Sequence, residues 1–520
     1  MKENTSLLDC TLRDGVHVVG GCFGEEVIKN VIKKLIEAEV DIIEIGFIST
    51  EGYSADYANF RTIADVKRIL PKKRGGAQIS VMSNHVDISH LEQNDGTIDM
   101  IRLAFKRQRI DWAFESMRIL TEKGYKCSLN PVNCNVYSDF EYLELLKRIN
   151  EIKPHSFSIV DTFGVMRKDD LSRLYYIVEN NLHPDINIGL HLHDNLGMAY
   201  SLAQHFIEIS SPTRHINIDC SLLGMGRAPG NLFSEHIMDY LNTQYGKKYD
   251  TEPAFDAADD YIAPIKRQIP WGYATPYALS AKYKLHRTYA EYLMGKGRLK
   301  TKDMQRILSR VESGKAELFD EGYIESLYIA YMSADADSVS FAQMKQKFTS
   351  FEEVVILAPG ASINQNAEAI KSYISASNAC VAAVNFNPGN FNADLVFCTN
   401  IRRYERITMS NSQELVITSN LLEYAKGYNY VVPYNSAVCH DDVYCDDSTL
   451  MLMNLLRQIG INKVAVAGFD GYKEGTRNFY TDSFEKRQNL SYPAERIKQV
   501  LKRYLTNMDI TFLTRSQLEA

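Results

Sequence analysis

The sequence lacks the marks of several protein classes. No apolar run approaches the roughly 18–20 residues of a membrane span, which excludes a membrane-spanning reading. Met1 to Thr5 lead into a strand-like run that is too short and too soon acidic for a signal peptide. Nine cysteines occur without one CxxC pair, and the odd, scattered set fits reduced thiols rather than a disulfide framework. Positive charge is not in excess: Lys+Arg at 58 against Asp+Glu at 65 leaves −7. That balance argues against a nucleic-acid polymer as partner, which would need a basic face. No internal repeat or low-complexity tract stands out. A hydrophobic fraction of 45% and a charged fraction of 24% are ordinary globular values. The expectation is a soluble, cytoplasmic, multidomain protein without membrane contact. Its 520 residues amount to three or four domains at roughly 150 residues each, although a barrel of about 250 can be one domain.

Strand-like runs recur through the first half: 6–10, 41–47, 77–82, 98–105, 126–132, 156–161, 186–191 and 215–220. Helix-like stretches lie between most of them, such as 25–39 with Val27, Val31, Ile32, Leu35 and Ile36 on one face. Eight short buried strands alternating with helices predict a parallel sheet, and eight is the number that closes a TIM barrel. An open doubly wound sheet fits the alternation equally well, so the motifs must decide. Residues 249–345 lack strand signals and read as a helical extension packed on the barrel. From residue 346 a second α/β domain of Rossmann-like type is expected, with strands near 353–357, 380–385, 395–398, 415–418, 430–432 and 463–467. The predicted division is therefore 1–248, 249–345 and 346–520.

The chemistry concentrates at strand ends. Asp9-Cys10-Thr11-Leu12-Arg13-Asp14-Gly15-Val16-His17 follows the first strand, where a parallel barrel keeps its active site. An ordinary solvated charge cluster at a strand end is the competing reading. His191 and His193 close the seventh strand, and a two-residue spacing puts both side chains on one face. With Asp14 from the neighbouring first strand they form a two-histidine, one-carboxylate set with open positions. Such a set binds a divalent metal; Fe(II) suits it among transition metals, and Mn, Zn, Co and Mg stay open. Gly224-Met225-Gly226-Arg227-Ala228-Pro229-Gly230-Asn231 follows the eighth strand. Asn231 either lends an oxygen to the metal or a neighbour, or caps the next helix. Asp161 and Thr162 end the sixth strand and either reach the site or cap the helix beginning near Lys168.

Taken together and in this order, DCTLRDG, VDTFG, HLHDN and GMGRAPGN resemble the metal-dependent TIM-barrel superfamily of 3-hydroxy-3-methylglutaryl-CoA lyase and 2-isopropylmalate synthase. The likeness covers about residues 5–245. The histidine two residues beyond Arg13-Asp14-Gly15 resembles the 4-hydroxy-2-oxovalerate aldolase branch. The resemblance implies Asp14, His191 and His193 as ligands of a divalent metal, Mn first, with Mg, Co or Zn as alternatives. It implies Asn231 as a fourth ligand, Arg13 beside the enolate oxygen and His17 as acid/base on the aldol hydroxyl. The implied activity is a class II aldolase joining a 2-oxo acid such as pyruvate to an aldehyde, since no lysine in the mouth motifs is assignable to a Schiff base. In that branch a helical C-terminal segment docks on an acylating aldehyde dehydrogenase. The roughly 270 residues beyond the barrel, and the segment VHVVGGCFG, depart from it and leave such a partner open, as is a homo-oligomer.

In the last third, Ala358-Pro359-Gly360-Ala361-Ser362 ends a strand and precedes a helix, so its amides could face a phosphate. It is neither GxGxxG nor a P-loop. With Gly468-Phe469-Asp470-Gly471-Tyr472 it is weakly similar to Rossmann-like proteins related to bacterial sialyltransferases and to the pterin pyrophosphokinase-like family. That likeness implies a nucleotide or nucleotide-sugar ligand, and the fusion suggests a sugar-derived aldehyde; a structural turn is the plainer reading. Cys439-His440-Asp441-Asp442 with Cys445 matches no common metal spacing and reads as an acidic loop. Two other functions are weighed: a Claisen-type acyltransferase condensing acetyl-CoA with a 2-oxo acid, and a non-catalytic sugar-nucleotide-binding protein with the barrel as scaffold.

Overall fold

The computed structural model describes residues 4–333, 338–439, 445–471, 479–480, 491–504 and 506–518. The chain divides into two compact units, Met1–Arg287 with Ala316–Leu318, and Thr288–Lys315 with Phe319–Ala520.

In the first unit the parallel strands are β1 (Thr5–Asp9), β2 (Ile42–Ile48), the short β3 (Asn59–Phe60), β4 (Gln78–Asn84), β5 (Met100–Phe105), β6 (Lys126–Pro131), β7 (Ser156–Asp161), β8 (Asn187–Leu192) and β9 (Ile216–Cys220). Eight of them run β1-β9-β8-β7-β6-β5-β4-β2, and pairing of β1 with β2 closes the ring, while β3 adds outside it along β2. The open-sheet alternative is thereby excluded. All eight expected strands form. The two-residue β3 carries no pattern of its own and was not foreseen.

Alternation along each strand decides what the barrel holds. Outward residues such as Ile188, Leu190 and Leu192 of β8 join the main core against the helices. Inward residues form a small plug, Leu8, Ile42 and Met100 with Cys10. One step along the same strands the interior turns polar, with Glu44 after Ile42 on β2 and Arg102 after Met100 on β5. The helices start where local chemistry dictates: Ser138 and Glu141 cap Asp139–Ile152 reciprocally, each satisfying an amide that the helix leaves open.

The segment expected as one helical extension on the barrel is divided. Helices through Thr275–Lys282 lie in the first unit, and Thr288–Gly295 and later helices lie in the second. The reason for the early part is packing: Ile262 and Trp271 are buried in the barrel's own core, and Trp271 Nε1 donates to the Leu223 carbonyl at 3.0 Å.

The second unit is built on a seven-stranded parallel sheet, order β14-β13-β12-β11-β10-β15-β16, with β10 (Glu353–Leu357), β11 (Ala379–Val384), β12 (Leu395–Cys398), β13 (Glu414–Thr418), β14 (Tyr430–Val432), β15 (Lys463–Ala467) and β16 (Asp509–Phe512). The order reverses between β10 and β15. The expected strands are present; β16, a short edge strand with no buried residue, was not anticipated. Among the described residues, no helix is long and apolar enough to cross a membrane.

Candidate metal and catalytic site

The segment after β1 is a helix, Thr11–Val19, whose first turns are buried, so it is not a solvated charge cluster. It carries Arg13 and Asp14 into the end of the barrel. Asp14, His191 and His193 each present a ligand atom, all within 4.8 Å of one another, and all three are buried. The two imidazole rings meet edge to face with centroids 5.2 Å apart. Burial would raise the Asp14 carboxyl, but Arg13 and the neighbouring histidines outweigh it and hold the group well below the usual carboxylate range. Burial pushes His193 down to about 3, so its ring is neutral, as a metal ligand must be.

Asn231 Nδ2 donates to Asp14 Oδ2 at 2.5 Å and to the Met225 carbonyl at 3.0 Å. It therefore does not cap the following helix, Ser234–Tyr245, which begins three residues later. Its Oδ1 is buried without a hydrogen-bond partner among the described residues. Gly226 makes this contact geometrically possible, since a Cβ there would lie 2.5 Å from Asn231 Nδ2 and 2.6 Å from Asp14 Oδ2. The donor set, two imidazoles and a carboxylate beside an amide oxygen that lacks a partner, fits a divalent cation.

Arg13 is held from two sides. Its Nε donates to Glu44 Oε2 at 2.7 Å and its Nη1 to Asp14 Oδ1 at 2.9 Å. Glu44 Oε2 also accepts from Arg102 Nη1 at 3.0 Å, and Arg102 Nη2 donates to Asp219 Oδ2 at 2.5 Å and to Asn130 Oδ1 at 3.1 Å. Asp219 Oδ2 lies 3.1 Å from His191 Nδ1, a carboxylate behind a histidine of the kind that fixes tautomer and ring orientation. Glu44, Arg102, Asp219 and Asn130 were missed from the sequence. The signal was available: strands buried on both faces should read as near-continuous apolar runs, and a lone Glu or Arg inside IIEIGFI or MIRLAF marks an inward polar position.

His17 lies on the same helix, one turn on, at the solvent-exposed rim, edge to face with Phe47 at 5.6 Å. An Arg227 Nη2–H lies within hydrogen-bond reach of the ring, 3.1 Å from Nδ1. Partial burial, then the positive charges of Arg227, Arg13 and Arg287 against the opposing pull of Asp14, lower His17 to about 4. Thr162 reaches the site region, with Oγ1 accepting from the Asn133 amide at 2.9 Å. Asp161 does not: it turns to the amides of Val165 and Met166 at 3.0 and 2.8 Å and braces the loop.

Arg13, Asp14, His17, Thr162, His191 and His193 line one cavity of about 300 Å³, which also takes in Phe47, Met82, Phe163, Lys106, Arg227 and His286. Lys106 is the lysine that the mouth motifs did not reveal. It is solvent-exposed, whereas a Schiff-base lysine is desolvated to lower its pKa.

In the second unit a cavity of about 110 Å³ lies outside the ends of β10 and β15, lined by Gly360, Asn385, Arg403, Ser448, Gly468 and Asp470 among others. The amides offered to a phosphate in the sequence reading are used internally: Gly360 N–H donates to the Gly468 carbonyl at 2.8 Å, and Ser362 N–H to Asp470 Oδ2 at 2.8 Å. A Cβ at Gly360 would stand 2.2 Å from the Gly468 oxygen, so the glycine serves a close backbone approach. His440, Asp441 and Asp442 lie outside the described residues.

The closed (βα)8 barrel thus carries two histidines, a carboxylate and a buried arginine at its strand ends. Residues 4–259 match the HMGL-like family model, so the barrel is an HMGL-like domain. The 4-hydroxy-2-oxovalerate aldolase of Geobacillus genomosp. 3 is 24% identical over 270 residues, 51% of this chain and 78% of that one. The 2-isopropylmalate synthase of Halalkalibacterium halodurans is 25% identical over 263 residues, 48% of this chain and 49% of that one. Among solved structures, the N-terminal domain of a Bacteroides vulgatus protein described as an aldolase is similar at 25% identity and TM-score 0.48, over 56% of this chain and 96% of that one.

Proposed function

We propose that the barrel is a divalent-metal-dependent aldolase that forms or cleaves a 4-hydroxy-2-oxo acid, joining the enolate of pyruvate or a related 2-oxo acid to an aldehyde. The observation that carries this reading is the buried Asp14, His191 and His193 cluster in one cavity with Arg13 and His17. Asp14, His191 and His193 would hold the ion, Mn first and Mg, Co or Zn as alternatives, with Asn231 as the fourth candidate. When bound, the ion supplies Lewis-acid polarisation of the 2-oxo group.

The chain's own charges suit such a load. Arg13 and Arg102 stand against Asp14, Glu44 and Asp219 in one bonded set, two positive charges against three negative. A divalent cation turns that deficit into one surplus positive charge, the complement of a 2-oxo carboxylate. Arg13 spends Nε and Nη1 on Glu44 and Asp14, which leaves the Nη2 N–H groups to donate to the oxygen at C2. That donor is charged at any working pH and pre-oriented, the condition under which stabilisation of a developing oxyanion is strongest. In the cleavage direction His17, neutral at physiological pH, takes the proton of the C4 hydroxyl. The C4–O bond becomes the aldehyde carbonyl, and the C3–C4 electron pair moves to C3 and onto the C2 oxygen facing Arg13. In synthesis the same ring returns the proton to the new hydroxyl.

The test is incubation of the full chain with Mn²⁺, pyruvate and a panel of aldehydes, with products read by mass and NMR. The reading expects a 4-hydroxy-2-oxo acid. No consumption of pyruvate or of other 2-oxo acids overturns it, and thiol release from acetyl-CoA in their presence favours the acyltransferase instead.

For the second unit the reading is a nucleotide or nucleotide-sugar ligand. The crevice lies where the strand order reverses, the position at which open α/β sheets bind ligands, and Lys296, Arg298 and Arg403 line it. A panel of nucleotide sugars should raise the melting temperature of the full chain; no shift from any of them removes this assignment.

A further inference from the structure

The aldolase reading accounts for the floor of the barrel cavity but not for its outer half. There the lining adds Lys106, Arg107, Arg227 and His286, and the carboxylate it adds is Glu317. Arg107 is committed to carboxylates, with Glu141 at 3.2 Å and Glu317 at 3.6 Å. No carboxylate among the described residues pairs with Lys106. Arg227, from the loop after β9, reaches His17. Lys106 follows β5, on the far side of the ring from β9, so the two cations face the same opening from opposite walls. His286 lines the same cavity, packed edge to face on Phe163 at 5.5 Å. Burial first, then the positive charges of Arg287, Arg227 and Lys106, lower His286 to about 4.

A neutral aldehyde leaves the Lys106 charge unanswered. Resting on the aldolase reading, we propose that the acceptor carries an anionic group, phosphate or carboxylate, at the end remote from its aldehyde, held at the cavity mouth by Lys106 and Arg227 beside His286. The bond-forming end of the acceptor then lies inward, toward His17 and Arg13. A cavity of about 300 Å³ is at the small end of ligand pockets, so the acceptor is short. The apolar lining from Phe47, Met82 and Phe163 suits its carbon chain. Lys106 and Arg227 act here as specificity residues, since they meet the acceptor away from the bond that forms.

The experiment uses the full chain with Mn²⁺ and pyruvate and compares matched acceptors: glyceraldehyde 3-phosphate against glyceraldehyde, and succinic semialdehyde against butanal. The expected result is a kcat/KM at least tenfold higher for one charged member over its neutral partner, falling as ionic strength rises. Which pair shows it separates phosphate from carboxylate. Lys106→Gln and Arg227→Gln should each lower that ratio at least threefold, through KM for the charged acceptor. Should either variant fail to fold, competitive inhibition of the wild type by glycerol 3-phosphate or propionate against the aldehyde supplies the same answer, and absence of inhibition by both counts against the proposal. Neutral acceptors used as well as charged ones overturn it. Deuterium exchange at the pyruvate methyl group needs no acceptor. Exchange without anion preference removes the proposal and leaves the aldolase reading, whereas no exchange removes both.

Discussion

Arg13 Nε donates to Glu44 Oε2 at 2.7 Å inside the barrel, and both side chains are almost wholly buried. Arg102 uses the same carboxylate oxygen, so Glu44 is shared by two buried guanidinium groups, each of which also meets a second carboxylate, Asp14 or Asp219. Removing one partner from a buried ion pair costs about 3–5 kcal/mol, because the other charge stays desolvated and unpaired. Glu44→Ala should therefore lower unfolding free energy by about that amount, measured by denaturant titration. A loss under about 1 kcal/mol, the scale of surface pairs, would contradict the buried network.

Arg13→Lys tests position rather than charge. An ammonium cannot meet Glu44 and Asp14 together and still offer a planar pair of N–H groups to substrate. We expect kcat/KM to fall by about two to three orders of magnitude, as for loss of an oxyanion donor, while melting shows the variant folded. Activity within threefold of wild type would remove Arg13 from its role.

His17, lowered to about 4, is in its neutral form throughout the physiological range. Its contribution to kcat/KM for cleavage should stay level from pH 8 to pH 6 and be lost as pH falls toward the lowered value. An unshifted histidine would instead halve the rate near its ordinary 6.5. His17→Asn should cost about 10²–10⁴ in rate. A pH-rate profile of wild type and variant checks both statements.

Glu235, behind the loop that carries Asn231, accepts from the Leu223 amide at 2.8 Å, and burial raises it to about 7. A carboxyl whose folded value is raised binds its proton more tightly when folded. Its favourable contribution is complete below the ordinary 4.5 and is lost as pH climbs to about 7. Glu235→Gln, which retains the acceptor, should flatten the decline in stability between pH 4.5 and 7 by an amount on the order of 2 kcal/mol. Parallel curves for variant and wild type would show that Glu235 does not titrate this way.

Much of the architecture was legible because burial writes itself into composition. The eight barrel strands are short apolar runs between amphipathic helices, and Asp14, His191 and His193 stand out because two-residue spacing on a strand settles which way side chains face. Arg13 and His17 were visible as a charge cluster, yet the helix that holds them was not, since Gly15 and three β-branched valines give it little helical propensity. Glu44 and Arg102 were overlooked because each is a single polar letter in a hydrophobic word, and Asp219 because it shares a short strand with Asn217; only ring closure shows that they meet. Lys106, Arg227 and His286 have no common motif at all: they come from three distant segments that the closed barrel brings to one opening. The division of the helical segment near Arg287 was likewise invisible, since it depends on which core each helix buries against.

The most direct measurement of the central claim is deuterium incorporation into the pyruvate methyl group, by proton NMR, with metal-depleted protein, with Mn²⁺ restored, and with Asp14→Ala under both conditions. The account predicts exchange only in the wild type with Mn²⁺, together with loss of stoichiometric Mn²⁺ binding in the folded variant. Exchange that persists in metal-depleted protein or in Asp14→Ala would contradict the account at its centre.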